Sequence, residues 1–249
     1  MPREKYEKLS LIGLFSRIIY SEDIVNLQNK GYLTKLDITL LSLTDNLIEN
    51  NRNILFNLHS NVHYSEGGDI AFNEAFNSEI DYITKNFYTL YEPVLNYVSD
   101  NLKGNILILF DRIEFGKNMY EAAKEDGLRG SNIYYVDGTI PVEEREKVRS
   151  IFEQSDNNIL FAQSVTFSVG INIKNLENIV FMFSGKSLVK VIQAIGRTLR
   201  LHANKDYAHL IDCCFNFKYS RKHLRERLKL YKDFYNKKKP DRIVRLSIN

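Results

Sequence analysis

Short apolar runs separated by stretches of mixed character predict a set of buried strands in the second half of the chain. Continuous apolar runs of this length are typical of strands that are covered on both faces. The runs are NILILF at 105–110, NIYYV at 132–136, NILFAQ at 158–163, NIVFMF at 178–183 and YAHLIDC at 207–213. Helices are predicted between them, including 113–125 and a highly charged segment at 141–154 with proline in its first turn. Strands that alternate with helices predict an α/β fold, with a parallel sheet and helices on both of its faces.

The pattern is less regular upstream of residue 105. Residues 21–30 are predicted to form a helix, with Ser21 as N-cap, Glu22 and Asp23 in the first turn and Gly31 beyond its end. Loosely alternating, β-branched residues predict a strand at 32–43.

The segment from 45 to 77 is rich in Asn and Ser, with a break at Gly67–Gly68, and predicts no regular element. A helix is expected at 79–100, with a kink or restart at Pro93. His59 and His63 are one helical turn apart, but no further ligand accompanies them, so we predict no metal site.

The C-terminal part, from Phe217 onward, is predicted to be a basic amphipathic helix. Between Lys218 and Arg245, twelve Lys and Arg residues face three acids, which leaves a local excess of +9. The whole chain has a net charge of only +3, so the remainder is acidic. This asymmetry is compatible with two interpretations: a surface that lies beside a phosphate backbone, or a solvated helix face.

Composition narrows the class of protein. The chain has 249 residues, of which 44% are hydrophobic and 26% charged, as is usual for a globular protein with a core. No apolar run approaches the ~20 residues of a membrane span, and the first residues lack the apolar core of a signal peptide. Cys213 and Cys214 are adjacent in a predicted strand and point to opposite faces, so we expect reduced thiols and a cytoplasmic protein.

The segment Leu188–Arg200, LVKVIQAIGRTLR, carries the strongest candidate chemistry. Read as a helix, it has one aliphatic stripe and, about 140° away, a polar stripe. The polar stripe consists of Gln193, Gly196, Arg197 and Arg200. Glycine inside a helix costs about 1 kcal/mol relative to alanine, so Gly196 suggests close approach by another group. Two guanidinium groups suit a polyphosphate better than one carboxylate, although a solvated basic face is the simpler alternative.

The sequence QAIGRTLR at 193–200 resembles motif VI, QxxGRxxR, of superfamily-two helicases. The resemblance implies a RecA-like second domain whose arginines face ATP bound to the first domain. On this basis Arg200 would contact the γ-phosphate, Arg197 would bridge the nucleotide and the first domain, and Gln193 would orient both. Gly196 would allow the nucleotide to approach the helix.

Other segments fit the same family. Residues 106–110, followed by Asp111 and Arg112, resemble motif IV, and residues 137–145 resemble the next strand-to-helix junction. Residues 162–173, AQSVTFSVGINI, resemble motif V, in which a strand is followed by a loop close to nucleotide and nucleic acid. Gly170 and Asn172 are therefore the candidates for nucleotide contact.

The candidates for nucleic-acid contact are polar residues in or near these motifs. They are Arg112, Ser164, Thr166, Lys186 and Ser187. Two departures from motif V, at Gln163 and Val169, weaken the assignment in that segment. The motif V and VI segments most resemble phage recombination and repair helicases of the UvsW type, which implies a DNA partner with branches and, for a phage protein, the host cytoplasm.

The chain contains no GxxxxGK[ST] sequence and no DExH-type box, so it lacks the groups that hold the β- and γ-phosphates and Mg²⁺. The SGKS sequence at 184–187 lacks the upstream glycine of a P-loop, although the helix that follows it could present amides to a phosphate. We therefore expect ATP with Mg²⁺ to be held mainly by a first RecA-like domain or an upstream polypeptide, and the chain alone to be inactive. A non-catalytic nucleic-acid-binding or regulatory module is the alternative.

The resemblance also predicts how the chain is divided. Residues 1–43 would contain the end of the first helicase domain and the crossover, and Met1 would stand where motif III ends; an amphipathic leader is the alternative for 1–20. Residues 44–100 would form a helical connection, 101–216 the RecA-like domain and 217–249 the basic helical tail.

Overall fold

A seven-stranded parallel sheet forms the centre of the molecule. In the computed structural model the described residues are 23–45, 68–128, 132–170, 173–182, 188–202 and 205–248. The strands are β1 (Lys35–Asp45), β2 (Ile106–Phe110), β3 (Asn132–Val136), β4 (Asn158–Gln163), β5 (Asn178–Phe181), β6 (Tyr207–Phe215) and β7 (Arg242–Ile248). Their order across the sheet is β3-β4-β2-β5-β6-β1-β7, and every pair is parallel.

Eight helices accompany these strands in the described part of the chain. They are α1 (Ile24–Asn29), α2 (Gly68–Lys85), α3 (Phe87–Asn101), α4 (Ile113–Glu125), α5 (Val142–Gln154), α6 (Ser164–Gly170), α7 (Leu188–Thr198) and α8 (Lys218–Tyr235). The predicted RecA-like α/β architecture is confirmed. None of the described helices combines the length and the apolarity that crossing a membrane requires.

Alternate residues of the buried strands supply two apolar layers. In β2, Ile106, Ile108 and Phe110 pack with helices α2, α3 and α4 on one face, while Leu107 and Leu109 pack on the other. The second layer contains the buried side chains of α5, α6, α7 and α8. Strands β2, β4 and β5 are therefore covered on both faces, which explains why their sequences are continuously apolar.

The basic tail was predicted to be helical throughout, and this prediction is wrong after Tyr235. Helix α8 ends at Tyr235 and is followed by the C-cap residue Asn236, whose φ of 52° is left-handed. Residues 242–248 then form the edge strand β7, which pairs with β1. Strand β1 comes from the predicted crossover segment, so the sheet extends beyond 101–216 on both sides; the proposed division of the chain stays a prediction.

Three predicted element ends are also corrected. Asp23, and not Ser21, is the N-cap of α1, because its carboxylate accepts a hydrogen bond from the Asn26 amide at 2.8 Å. Residue 68, at the predicted Gly67–Gly68 break, already belongs to α2. The interruption expected at Pro93 occurs instead at Asn86, between α2 and α3, and Pro93 lies inside α3.

The two cysteines are buried and free, as expected. The two histidines at 59 and 63 lie outside the described residues.

Candidate motor and nucleic-acid site

Helix α7 connects β5 to β6 and places the predicted arginine stripe at the surface. Val191, Ile195 and Leu199 are buried, which confirms the aliphatic stripe, and Ala194 is buried beside them. Gln193 lies on the exposed side of the helix.

Gly196 is also exposed, and a Cβ atom built on it would meet no atom within 4 Å. Its lack of a side chain is therefore not required by packing among the described residues.

Arg197 is attached to helix α6, the segment that resembles motif V. Its Nη1 atom donates a hydrogen bond to the Phe167 carbonyl oxygen at 2.6 Å, and its guanidinium lies 5.2 Å from the centre of the Phe167 ring. Burial, and secondarily the positive charge of Arg200, lower the pKa of Arg197 from its usual value. The guanidinium is therefore held in one place, with part of its surface exposed.

Arg200 lies two residues beyond the end of α7, because the helix ends at Thr198 and not at the predicted residue 200. Its backbone amide is within 3.4 Å of the Arg197 carbonyl oxygen. Its side chain is partly exposed, and within the described ranges no carboxylate forms an ion pair with it.

Two residues outside the helix, Thr34 and Lys205, hold the C-terminal end of α7. Thr34 donates from its amide to the Leu199 carbonyl at 2.9 Å and from its hydroxyl to the Arg200 carbonyl at 3.2 Å. Lys205 donates from Nζ to the Thr198 carbonyl at 2.6 Å and to the Leu176 carbonyl at 3.1 Å. Carbonyl groups at a helix end have no partners within the helix, so these bonds fix the backbone that carries the arginines.

Lys205 is buried, and its burial affects the pKa of its ammonium group. Desolvation lowers the pKa of its ammonium group to about 8, although the negative charge of Glu177 acts in the opposite direction. A neutral amine still has two N–H groups, so both hydrogen bonds to the carbonyl oxygens survive deprotonation.

The motif V segment was predicted to be a loop, but residues 164–170 form helix α6. The hydroxyl of Ser164 donates to the Asp111 carboxylate. Thr166 is buried, and its hydroxyl donates to the Gln163 side chain at 3.2 Å. Gln163, which departs from the family sequence, is within 3.5 Å of the Asp111 carbonyl oxygen and so connects the end of β4 to the end of β2. Gly170 is the last residue of α6.

Arg112 occupies the N-cap position of α4, directly after β2, and its side chain is about half exposed. It donates to the Asn77 side chain at 2.9 Å and lies 3.8 Å from the Asp81 carboxylate. The carboxyl ends of parallel strands meet at one edge of a sheet, so Arg112 and Ser164 share that edge. Three other candidates, Asn172, Lys186 and Ser187, lie outside the described residues.

Four residues that position the candidates, or the helix that carries them, were not predicted as site residues. Phe167, Asp111 and Thr34 each contact a candidate residue or its backbone, and Lys205 contacts the Thr198 carbonyl at the end of α7. A phenylalanine among the hydroxyl residues of SVTFSVG was a usable signal for Phe167. The contacts of Asp111 and Thr34 join distant parts of the chain and leave no local pattern.

The fold and the arginine helix define a RecA-like domain that presents basic groups at its surface. Residues 89–202 match the family described as helicase conserved C-terminal domain. The part of the chain from 89 to 202, which is less than half of it, therefore matches a helicase C-terminal domain of superfamily two.

Known helicases share part of this sequence. The ATP-dependent DNA helicase uvsW of Enterobacteria phage T4 is 32% identical over 108 residues, which cover 43% of this chain and 21% of that protein. A putative ATP-dependent helicase of Saccharomyces cerevisiae is 30% identical over 112 residues, or 45% of this chain and 16% of the relative. The matched regions thus span about a fifth or less of each relative.

Solved structures agree on the fold. The crystal structure of T4 UvsW superposes with a TM-score of 0.58 at 19% identity and covers 87% of this chain and 42% of that one. The restriction-modification enzyme LlaBIII bound to DNA superposes with a TM-score of 0.62 at 14% identity, covering 96% of this chain and 17% of that one. At these identities the superpositions establish the architecture alone.

Proposed function

We propose that this chain is the second motor domain of an ATP-dependent DNA helicase that unwinds or remodels branched DNA in recombination and repair. Arg200 would approach the γ-phosphate of ATP, Arg197 would bridge the nucleotide and the first domain, and Gln193 would orient the two arginines. The observation that carries this proposal is the arrangement of the arginines. Arg197 is fixed against Phe167, while Arg200 is partly exposed and has no carboxylate partner among the described residues.

The residues present suit the phosphates of ATP better than its metal ion. Guanidinium groups bind phosphate oxygens well, and Gly196 leaves open space beside them. Gly170 and Asn172 would complete the nucleotide contact from the motif V segment. No group of three metal-binding side chains occurs among the described residues. Mg²⁺ would therefore be held mainly by the first RecA-like domain, whether on the same or on an upstream polypeptide.

DNA would contact the edge of the sheet where β2 and β4 end. Arg112 is the exposed cation there, and Ser164 and Thr166 would contribute hydroxyl groups, together with Lys186 and Ser187. Ser164 and Thr166 now donate to side chains of the same domain, so contact with a phosphate would replace these bonds. The assignment to branched DNA and, for a phage protein, to the host cytoplasm follows from the resemblance of the motif V and motif VI segments to UvsW-type helicases.

The test is the ATPase of this chain assembled with its first RecA-like domain. We expect negligible turnover from the chain alone, DNA-stimulated turnover from the assembly, and a loss of 10³- to 10⁵-fold in Arg200→Ala. DNA binding should be retained in that variant. Arg149→Ala, which removes an exposed arginine of α5, is the matched control.

Two outcomes would refute the proposal. Full DNA-stimulated turnover by the isolated chain would show that the first domain is not required. Loss of DNA binding with intact turnover in Arg200→Ala would instead favour a non-catalytic binding module.

A further inference from the structure

Six cations lie in a row along the solvent side of α8. Lys218, Arg221, Lys222, Arg225, Lys229 and Lys232 are all exposed. Their spacing of i, i+3, i+4, i+7, i+11 and i+14 places them within roughly 100° of one another around the helix. The row, which we name the basic row, is about 21 Å long at 1.5 Å per residue. It lies on a helix outside the arginine site of α7.

The opposite side of α8 is anchored in the core, so the row has a fixed direction. Arg227 donates two hydrogen bonds to the buried Asp212 carboxylate, at 2.9 and 2.7 Å. The Tyr231 hydroxyl donates to the same carboxylate at 2.7 Å. At the start of the helix, the Glu79 carboxylate accepts from the Tyr219 amide at 3.0 Å. Arg227 is thus structural, whereas the two arginines and four lysines of the row are exposed.

Two acids of α8 lie beside the row. Glu226 lies at its margin, 3.6 Å from Lys229, and the exposed Asp233 is on the same margin. The remaining excess of positive charge on this one face exceeds the net charge of +3 of the whole chain. The row is therefore a local positive field on a domain whose other surfaces are acidic on average.

We propose that the basic row is a second nucleic-acid surface, which binds the phosphate backbone of a duplex. Duplex DNA has one phosphate per about 3.4 Å of axis on each strand, so ~21 Å corresponds to about six phosphates. A duplex holds its phosphates in a fixed array, and a rigid row of this length can reach several of them. The row carries no hydrogen-bonding pattern directed at bases, so binding is independent of sequence.

The aromatic residues of α8 favour a duplex over a single strand. Surfaces that bind single strands stack bases on exposed aromatic rings. Tyr219, Tyr231 and Tyr235 are buried. Phe234, the one exposed aromatic residue of α8, lies about 160° around the helix from Lys218 and so outside the row. The row thus offers charge without a stacking platform.

The test compares two triple variants of the whole protein. Arg221→Gln, Arg225→Gln and Lys229→Gln remove half of the row; Lys117→Gln, Lys124→Gln and Lys147→Gln remove three exposed lysines of α4 and α5. Binding of a blunt 20-base-pair duplex is measured by fluorescence anisotropy from 50 to 300 mM salt. The row variant should reduce the slope of log affinity against log salt by about 2.7, at about 0.9 per phosphate contact.

The control triple variant should leave the slope and the duplex affinity unchanged. An equal loss in both variants, an unchanged slope in the row variant, or a larger loss for a single-stranded oligonucleotide than for the duplex would overturn the proposal. The single change Lys229→Gln, with an expected slope change of about 0.9, checks the result if the triple variant unfolds.

The proposal does not depend on the arginine finger. ATPase without DNA should be unchanged in the row variant, and duplex binding should be unchanged in Arg200→Ala. The two proposals therefore fail separately.

Discussion

Helices α7 and α8 are neighbours on the same face of the sheet, and they use positive charge in different ways. In α7, Arg197 is held against Phe167, and the backbone at the helix end is fixed by Thr34 and Lys205. In α8, one arginine is buried against Asp212, and six cations extend into solvent. Helix α7 provides two guanidinium groups near defined positions, whereas α8 provides an extended surface of positive charge.

This difference shows that the number of basic residues does not reveal their role. Arg227 belongs to the most basic segment of the sequence, yet it is almost fully buried and stabilises the fold. Arg197 and Arg200 belong to a segment with few charges, yet they are the candidates for catalysis. The burial and the partners of each side chain separate these roles.

The largest stability effect is expected from the buried pair under α8. Asp212→Ala leaves the Arg227 guanidinium buried without its carboxylate, which should cost about 3–5 kcal/mol in the free energy of unfolding. Urea unfolding followed by circular dichroism measures it. Glu226→Gln removes the exposed ion pair between Glu226 and Lys229 instead, and it should lower the free energy of unfolding by less than about 1 kcal/mol. Similar losses in the two variants would mean that Arg227 does not anchor α8.

A smaller loss in the free energy of unfolding is expected from a substitution of Lys205 at the end of α7. Lys205→Met removes the donor to the carbonyls of Thr198 and Leu176 and should cost about 1–3 kcal/mol at neutral pH. The unfolded chain keeps the Lys205 proton up to its usual pKa of 10.5, whereas the folded chain releases it above about 8. The unfolded state then binds more protons, so wild-type stability gains relative to the variant as pH rises from 8 to 10.

Unfolding free energies of both proteins at pH 7, 8, 9 and 10 provide the measurement. Taking the difference between the two proteins cancels the titration of buried tyrosines and cysteines, which both contain. A difference that stays constant across this range would contradict a lowered pKa for Lys205. Lys205→Arg, which keeps a donor but not the titration, is the companion variant.

The central strands of the sheet were predictable because they are buried on both faces. In β2 the continuous apolar run follows directly from that burial, and so do the runs in β4 and β5. The edge strand β7 was missed because Arg242, Ile243 and Arg245 are exposed and continue the basic pattern of the preceding helix. Its strand conformation depends on pairing with β1, two hundred residues away in sequence.

The candidate site was predictable only in part. The aliphatic stripe of α7 and the exposure of Gln193 and Gly196 follow from helical spacing. The contact between Arg197 and Phe167 joins two helices, and the Thr34 contact to Arg200 spans 166 residues. Contacts of this kind depend on the whole fold, so local periodicity cannot reveal them.

The smallest effect is expected at Gly196. Gly196→Ala should stabilise the isolated chain by up to about 1 kcal/mol, because alanine is the better helix former and its Cβ meets no atom within 4 Å. Gly116→Ala is the contrasting control, since its Cβ would lie 2.3 Å from the Phe110 ring and should destabilise the chain. Thermal unfolding measures both, and a destabilised Gly196→Ala would contradict the open space seen beside α7.

The same Gly196→Ala variant, assembled with the first domain, should lose ATPase activity while its fold gains stability. That opposition would indicate that a group from outside the domain approaches this helix. If stability and ATPase activity change in the same direction, the approach of an outside group no longer explains the glycine at this position.

The most direct test of the arginine assignment compares two nucleotide complexes of the assembled enzyme. A group that acts on the transferring phosphoryl binds the transition state more strongly than the ground state. We expect Arg200→Ala to weaken the binding of MgADP with aluminium fluoride on the order of 10³-fold, in line with the lower limit for an arginine finger. Binding of a non-hydrolysable ATP analogue should change far less. Equal weakening of both complexes, or of neither, would contradict the assignment.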